Sequence, residues 1–287
     1  MSASTLPHRS RRPWQRALRH GSFALGGALT LLVLGAAFIS LWWTPWSPFA
    51  MDMAQRLAPP SAAHWLGTDA FGRDVASLLL VGARSSLMAG VVAVGIGLVM
   101  GTALGLLAAA RRGWVEELVM RLADFSFAFP AVLSAILFTA AWGAGLVNAI
   151  VAIGIFNIPV FARVARAGAL GVWSREYVLA ARACGKGQLR ITLEHVLPNI
   201  ASALIVQATV QFALAILAEA ALSYLGLGTQ PPQPSWGRML ADAQTLMYQA
   251  PLLAVWPGAA IACAVLGLNL LGDGLRDLLD PRLSHSR

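Results

Sequence analysis

Charge is what this sequence has least of. Only 12% of its 287 residues are Asp, Glu, Lys or Arg, about half of the ~25% usual in a soluble globular chain. A water-soluble domain of this size buries roughly 75% of its unfolded surface and still needs polar residues to cover the outside. Too few are present, so a soluble enzyme is excluded. With 57% apolar residues, a disordered chain is excluded as well. Cysteine is nearly missing. Cys184 and Cys263 have no short spacing, which argues against a disulfide framework or a zinc site and fits two small buried hydrophobes. The histidines, His8, His20, His64, His195 and His285, are isolated from one another. His64, Asp69 and Asp74 read as ordinary loop polar groups rather than a metal site. A phosphate-cradling loop, G-x-x-x-x-G-K-[ST], is also missing. The one Gly-Lys pair is Gly185-Lys186, with Ala180 where the first Gly belongs and Gly187 where the Ser or Thr belongs. Neither H-E-x-x-H nor G-x-S-x-G occurs. No cofactor or metal is expected on this chain.

What remains is an all-α integral membrane protein. The net charge of +8 does not point to nucleic acid, because the basic residues are scattered through short gaps between apolar runs. A bilayer core of ~30 Å needs about 20 apolar residues in a helix. The first such run is 23–43, an uncleaved anchor. Basic residues precede it, no small-residue cleavage site follows, and Trp42, Trp43 and Trp46 form an interfacial belt. Further runs cover Ser86–Ala110, Leu118–Ala141, Val147–Ala165, Ile200–Leu222 and Leu252–Leu271, with kinks expected at Pro130 and Pro159.

Lys and Arg set the orientation. With residues 1–22 in the cytoplasm, 17 of the 21 basic residues fall inside, while Arg56, Arg73, Arg84 and Arg238 fall outside. Six transmembrane helices with both termini cytoplasmic are expected. The organisation is then a basic N-terminus (1–22), the anchor (23–43), an external segment (44–85), a core of five spans (86–275) and a cytoplasmic C-terminus (276–287).

Within the spans, Gly97, Gly101 and Gly105 recur at every fourth residue, so another helix can approach closely. That stripe fits a partner helix or pore-lining seam as well as packing inside one subunit. Arg121 and Asp124, three residues apart, are expected to pair. Glu219 reads as a local capping or packing group near the outer interface.

One inside loop, about 166–199, is long for such a connection. Ser174 can cap a helix running to Cys184. Gly185 and Gly187 would break it, and a second helix would stop before Pro198. Two short helices joined at a Gly make a knob for a soluble partner, or an amphipathic hairpin on the membrane face.

Ala180, Ala181, Gly185, Leu197 and Pro198 resemble the EAA loop of permeases from ATP-binding-cassette (ABC) importers, with Leu179 where the family has Glu. Three further stretches resemble the second, C-type permease of the dipeptide/oligopeptide/nickel branch. They are His64–Asp74, Glu219–Gly228 with Pro234–Gly237, and Asn269–Pro281. The resemblance covers nearly the whole chain. It implies a type I ABC-importer permease fold in the bacterial inner membrane, surrounded by membrane lipid. The implied partners are a homologous second permease, two cytoplasmic ATPases that bind ATP and Mg and press on the EAA loops, and an extracytoplasmic substrate-binding protein. The implied cargo is a dipeptide, oligopeptide, glutathione or nickel. No His or Cys cluster lines a span, which favours peptides. A secondary transporter or membrane enzyme acting alone fits less well. Internal repeats, several midplane charges and converging catalytic groups are all missing.

Overall fold

The computed structural model describes residues 21–279. The N-terminal arginines (Arg9, Arg11, Arg12, Arg16, Arg19) and Pro281, Arg282 and Arg287 lie outside the described residues. Among the described residues the backbone is helical, apart from turns and one isolated bridge between Thr68 and Asp74.

Helix α1, Gly21–Ile39, carries no charge and packs along the last helix, α9, Leu252–Leu279. Glycines make this approach close. Gly26 lies against the Leu270–Leu271 backbone, and Gly267 and Gly274 lie against Thr30 and Phe23. Helix α2, Val75–Arg111, runs 37 residues, about 55 Å at 1.5 Å per residue. It starts well before the expected Ser86, because Asp74 caps it by accepting from the Ser77 N–H at 2.8 Å. It also holds a one-turn π-bulge at Gly97–Gly101.

The third expected span is not one kinked helix. Helices α3, Gly113–Phe127, and α4, Ala131–Trp142, meet at 87°. Pro130 has no N–H and steers the residue before it out of the helical region, so the chain breaks there. At about 18 Å, the 12-residue α4 is too short to cross ~30 Å by itself. By contrast Pro159 is absorbed inside α5, Leu146–Trp173.

Helix α6, Glu176–Ala183, leads to α7, Gln188–Tyr224. The sequence suggested a stop before Pro198, but α7 runs straight through it. A π-bulge at Thr192–Val196 precedes the proline, with the Leu197 N–H bonded to Thr192 O, and the Asn199 side chain donates to the His195 carbonyl at 2.7 Å. Helix α8, Trp236–Ala243, lies in the last outer loop before α9.

Five helices are long and apolar enough to cross a membrane, and the α3–α4 pair makes a sixth, broken crossing. Two apolar cores hold them. One gathers α2, α4, α5, α6 and α7 around Ala93, Phe161, Ala165 and Val178. The other gathers α1, α2, α7, α8 and α9 around Leu87, Ile216, Trp236 and Leu268. Helices α2 and α7 contribute to both and form the shared spine.

Candidate functional site

The loop after α5 folds into a helix–turn–helix knob. Gly185 has φ +79°, its N–H donates to Arg182 O at 2.9 Å, and the Lys186 N–H reaches Ala181 O at 3.1 Å. Those two bonds are a Schellman motif, which requires the left-handed conformation glycine adopts at little cost. Ala180 accepts from Cys184 N at 2.9 Å, so the Ala180–Ala181 step supplies carbonyls that close the turn. Val178 is fully buried and anchors α6 against the core, as do Ile191 and Val196 on α7. Leu197 packs at its edge and Pro198 opens the straight part of α7. Ser174 does not cap α6. Its hydroxyl bonds back to Gly171 O at 3.0 Å, while Arg175 occupies the capping position.

Outside, the knob presents Tyr177, Leu179, Leu189 and Leu193, all exposed. Leu179, at the EAA glutamate position, is thus an exposed apolar side chain and forms no ion pair. Glu194 braces the turn from α7, accepting from Lys186 Nζ at 2.7 Å and Arg190 Nε at 2.6 Å. Lys186 and Arg190 are therefore engaged within the knob rather than left for headgroups or a partner. Gln188 ties it to the inner end of α2, donating to Ala110 O at 3.2 Å. Above that contact α2 and α7 flank an apolar groove of about 1200 Å³, lined by Val91, Val99, Leu107, Leu193 and Phe212.

The glycine stripe packs inside the chain. A Cβ on Gly97 would run into Asn157, on Gly101 into Ile158 O and Phe161, and on Gly105 into Ala162 O and Ala165. Its role is the α2–α5 contact, not a partner helix or a pore. Charge pairing across α3 also differs from the expectation. Arg121 pairs with Glu117 at 2.6 Å, one helical turn back, whereas Asp124 pairs across helices with Arg163 on α5. Arg166 pairs with Glu116 in the same way. The sequence signal for these pairs was an arginine inside an apolar run at Arg163, which reads equally as an inside-loop charge.

At the other end of the spans Glu219 is completely buried. It accepts from Ser86 on α2 at 3.0 Å, Ser223 at 2.6 Å and Thr229 at 3.1 Å. Gly228 lies against Ser223 and Gly237 against the Ala220 backbone, and Trp236 donates to Leu79 O at 3.1 Å. The stretch Glu219–Gly237 is thus a knot tying α7 and α8 to α2, the packing role read from the sequence. Glu219→Ala leaves these hydroxyls without their acceptor, at about 1–3 kcal/mol, and Glu219→Gln is expected to cost less. Thermal unfolding of the purified complex checks this, and a Glu219→Ala melting point within ~1 °C of wild type would refute it.

The external signature is a cap on α2. His64 Nδ1 lies 3.0 Å from Asp74 Oδ1, under the Trp46 ring. Asp69 holds Arg73 at 2.7 Å, and Arg73 and Arg238 reach Asp242. Burial pushes the Asp242 carboxyl above its ordinary value, and the two arginines oppose this. Among the described residues, no three His, Cys, Asp or Glu converge. Asp69 turns to Arg73, away from His64.

The family model described as binding-protein-dependent transport system inner membrane component matches residues 101–285, from the α2 bulge through the knob to the last helix. The chain belongs to this family. The permease is 43% identical over 271 residues to the glutathione transport system permease protein GsiD of Pectobacterium atrosepticum, covering 94% of this chain and 90% of the relative. It is also 43% identical over 276 residues to the dipeptide transport system permease protein DppC of Alkalihalophilus pseudofirmus, covering 94% and 90%. A chain of the inward-facing MetNI methionine ABC transporter shares the fold, with TM-score 0.59 at 19% identity over 71% of this permease and 97% of that chain. The protein is therefore a multi-pass permease subunit of an ABC importer, with the type I permease fold expected from its sequence.

Proposed function

We propose that this permease forms one half of the import path for small peptides, of the dipeptide and glutathione class, across the bacterial inner membrane. The reading is carried by its near full-length likeness to permeases named for glutathione and dipeptides. A homologous second permease supplies the other half. A substrate-binding protein delivers cargo to the outer face, where the His64–Asp74 cap and α8 lie. Two cytoplasmic ATPases bind ATP and Mg and dock on the knob around Gly185. The chain itself does not hydrolyse ATP. The exposed apolar side chains of the knob suit a groove on a soluble partner. The Gln188–Ala110 bond gives a push on the knob a route into α2.

A deletion strain lacking this permease should fail to take up labelled dipeptide or glutathione and regain uptake when the chain is restored. Restored nickel uptake without peptide uptake would refute the peptide reading.

Both ends lie in the cytoplasm, as the bias of 17 basic residues inside against 4 outside implies. Alkaline phosphatase fused after Ala62 or Gln233 is expected to be active, and fused after Arg112 or Lys186 inactive. Activity at Lys186 would overturn this topology.

A further inference from the structure

Three strips run side by side along α3. One turns to α5: Ala123 is buried there and Glu116 pairs with Arg166. The second is an apolar stripe of Trp114, Leu118, Leu122 and Phe125, which recur at helical spacing and are 50–75% exposed. The third, beside it, carries Glu117, Arg121 and Asp124, all exposed. A helix with one apolar and one charged strip, neither covered by its own chain, suits the boundary between acyl chains and water.

The depth of α3 agrees. Helix α5 carries no charge from Leu146 to Ala162, about 25 Å at 1.5 Å per residue and close to the ~30 Å hydrocarbon core. Its first charges are Arg163 and Arg166, the partners of Asp124 and Glu116. Glu116 to Asp124 covers about 12 Å of α3, whereas Arg163 to Arg166 covers only about 4.5 Å of α5, so the two helices cross steeply. With the 87° turn at Pro130, α4 is the arm that enters the bilayer and α3 the arm that lies across its inner boundary. Arg111 and Arg112 stand exposed just before α3, and among the described residues neither forms an ion pair.

We propose that α3 lies in the interface of the inner leaflet, with its apolar stripe among acyl chains and with Arg111 and Arg112 on the phosphates of anionic phospholipid. This rests on the topology above. Trp114 then sits at headgroup level, and the charged strip faces the cytoplasm. The Glu116–Arg166 and Asp124–Arg163 pairs tie α5, the helix that leads into the knob, to the leaflet. A protein partner fits the stripe less well, because the cores of protein interfaces shed charge and here a charged strip borders the stripe along its length.

The test uses the whole importer, with Cys184 and Cys263 replaced by Ser, in vesicles of phosphatidylethanolamine and phosphatidylglycerol. Leu118→Cys, Phe125→Cys and Glu117→Cys each carry a thiol-linked fluorophore. The probes at 118 and 125 should be quenched by phospholipid with a nitroxide high on its acyl chain, and at least about threefold less by aqueous iodide than the probe at 117. Nitroxide on phosphatidylglycerol should quench the probe at 118 more than the same nitroxide on phosphatidylcholine. Arg111→Gln combined with Arg112→Gln should abolish that preference.

Equal iodide quenching at 117 and 118 would overturn the assignment. So would probes at 118 and 125 that neither quencher reaches, which would put a protein over the stripe. No preference for phosphatidylglycerol with both arginines present would overturn the anionic ligand. An active phosphatase fusion after Arg112 would overturn the topology itself, and the choice of inner leaflet with it.

Discussion

Gly185→Asp is expected to reach the membrane at near-normal levels and to lose import. Gly185 holds φ +79° with open space around the position a Cβ would take. Nothing inside the chain resists a side chain there except the backbone strain, about 1 kcal/mol or more. Asp tolerates the left-handed region better than most residues, so the knob should still fold. The variant places a carboxylate at the tip of the surface proposed to meet the ATPases. It also sits beside Glu194, which already neutralises Lys186 and Arg190. The ATPases should co-purify poorly or hydrolyse ATP without moving cargo. Gly185→Asn separates charge from strain and should import better than Gly185→Asp. Normal uptake by Gly185→Asp at wild-type abundance would remove this loop as the coupling element.

Gly101→Leu should fail earlier, at assembly. Helices α2 and α5 touch backbone to backbone at this point, and a Cβ would collide with Ile158 O and the Phe161 Cβ. Overpacking a tight interior typically costs 1–3 kcal/mol. Here the obstacle is main chain, which moves only with the helix, so about 3 kcal/mol or more is expected. Gly95 lies on the same helix with nothing within 4 Å of its Cβ position, so Gly95→Leu is the matched control. Membrane abundance and thermal stability read the difference. Equal abundance of the two variants would show that the α2–α5 seam can yield.

Class, span number and the location of the knob were legible in the sequence. Scarcity of charge and apolar run length are physical demands of the bilayer, and they act on composition directly. The Gly185 turn was legible for a similar reason. A left-handed residue between two helical stretches is a local requirement, and the sequence meets it locally. The glycine stripe was legible as a close contact, but its partner was not. Whether Gly97, Gly101 and Gly105 face α5 or another subunit depends on which helix arrives there.

The partners of charged groups were equally beyond reach. Asp124 was expected beside Arg121, three residues away, yet α5 brings Arg163 across and Glu117 takes Arg121. The two prolines show the same limit. Pro130 breaks its helix by 87°, and both arms, α3 and α4, pack on α5. Pro198 leaves α7 unbroken: it sits just after a π-bulge, and the helix runs on to Tyr224. Proline removes one donor in either case. Whether the helix then breaks or runs on depends on the backbone path either side and on the helix packed beside it, and that is why only the folded chain decided these points.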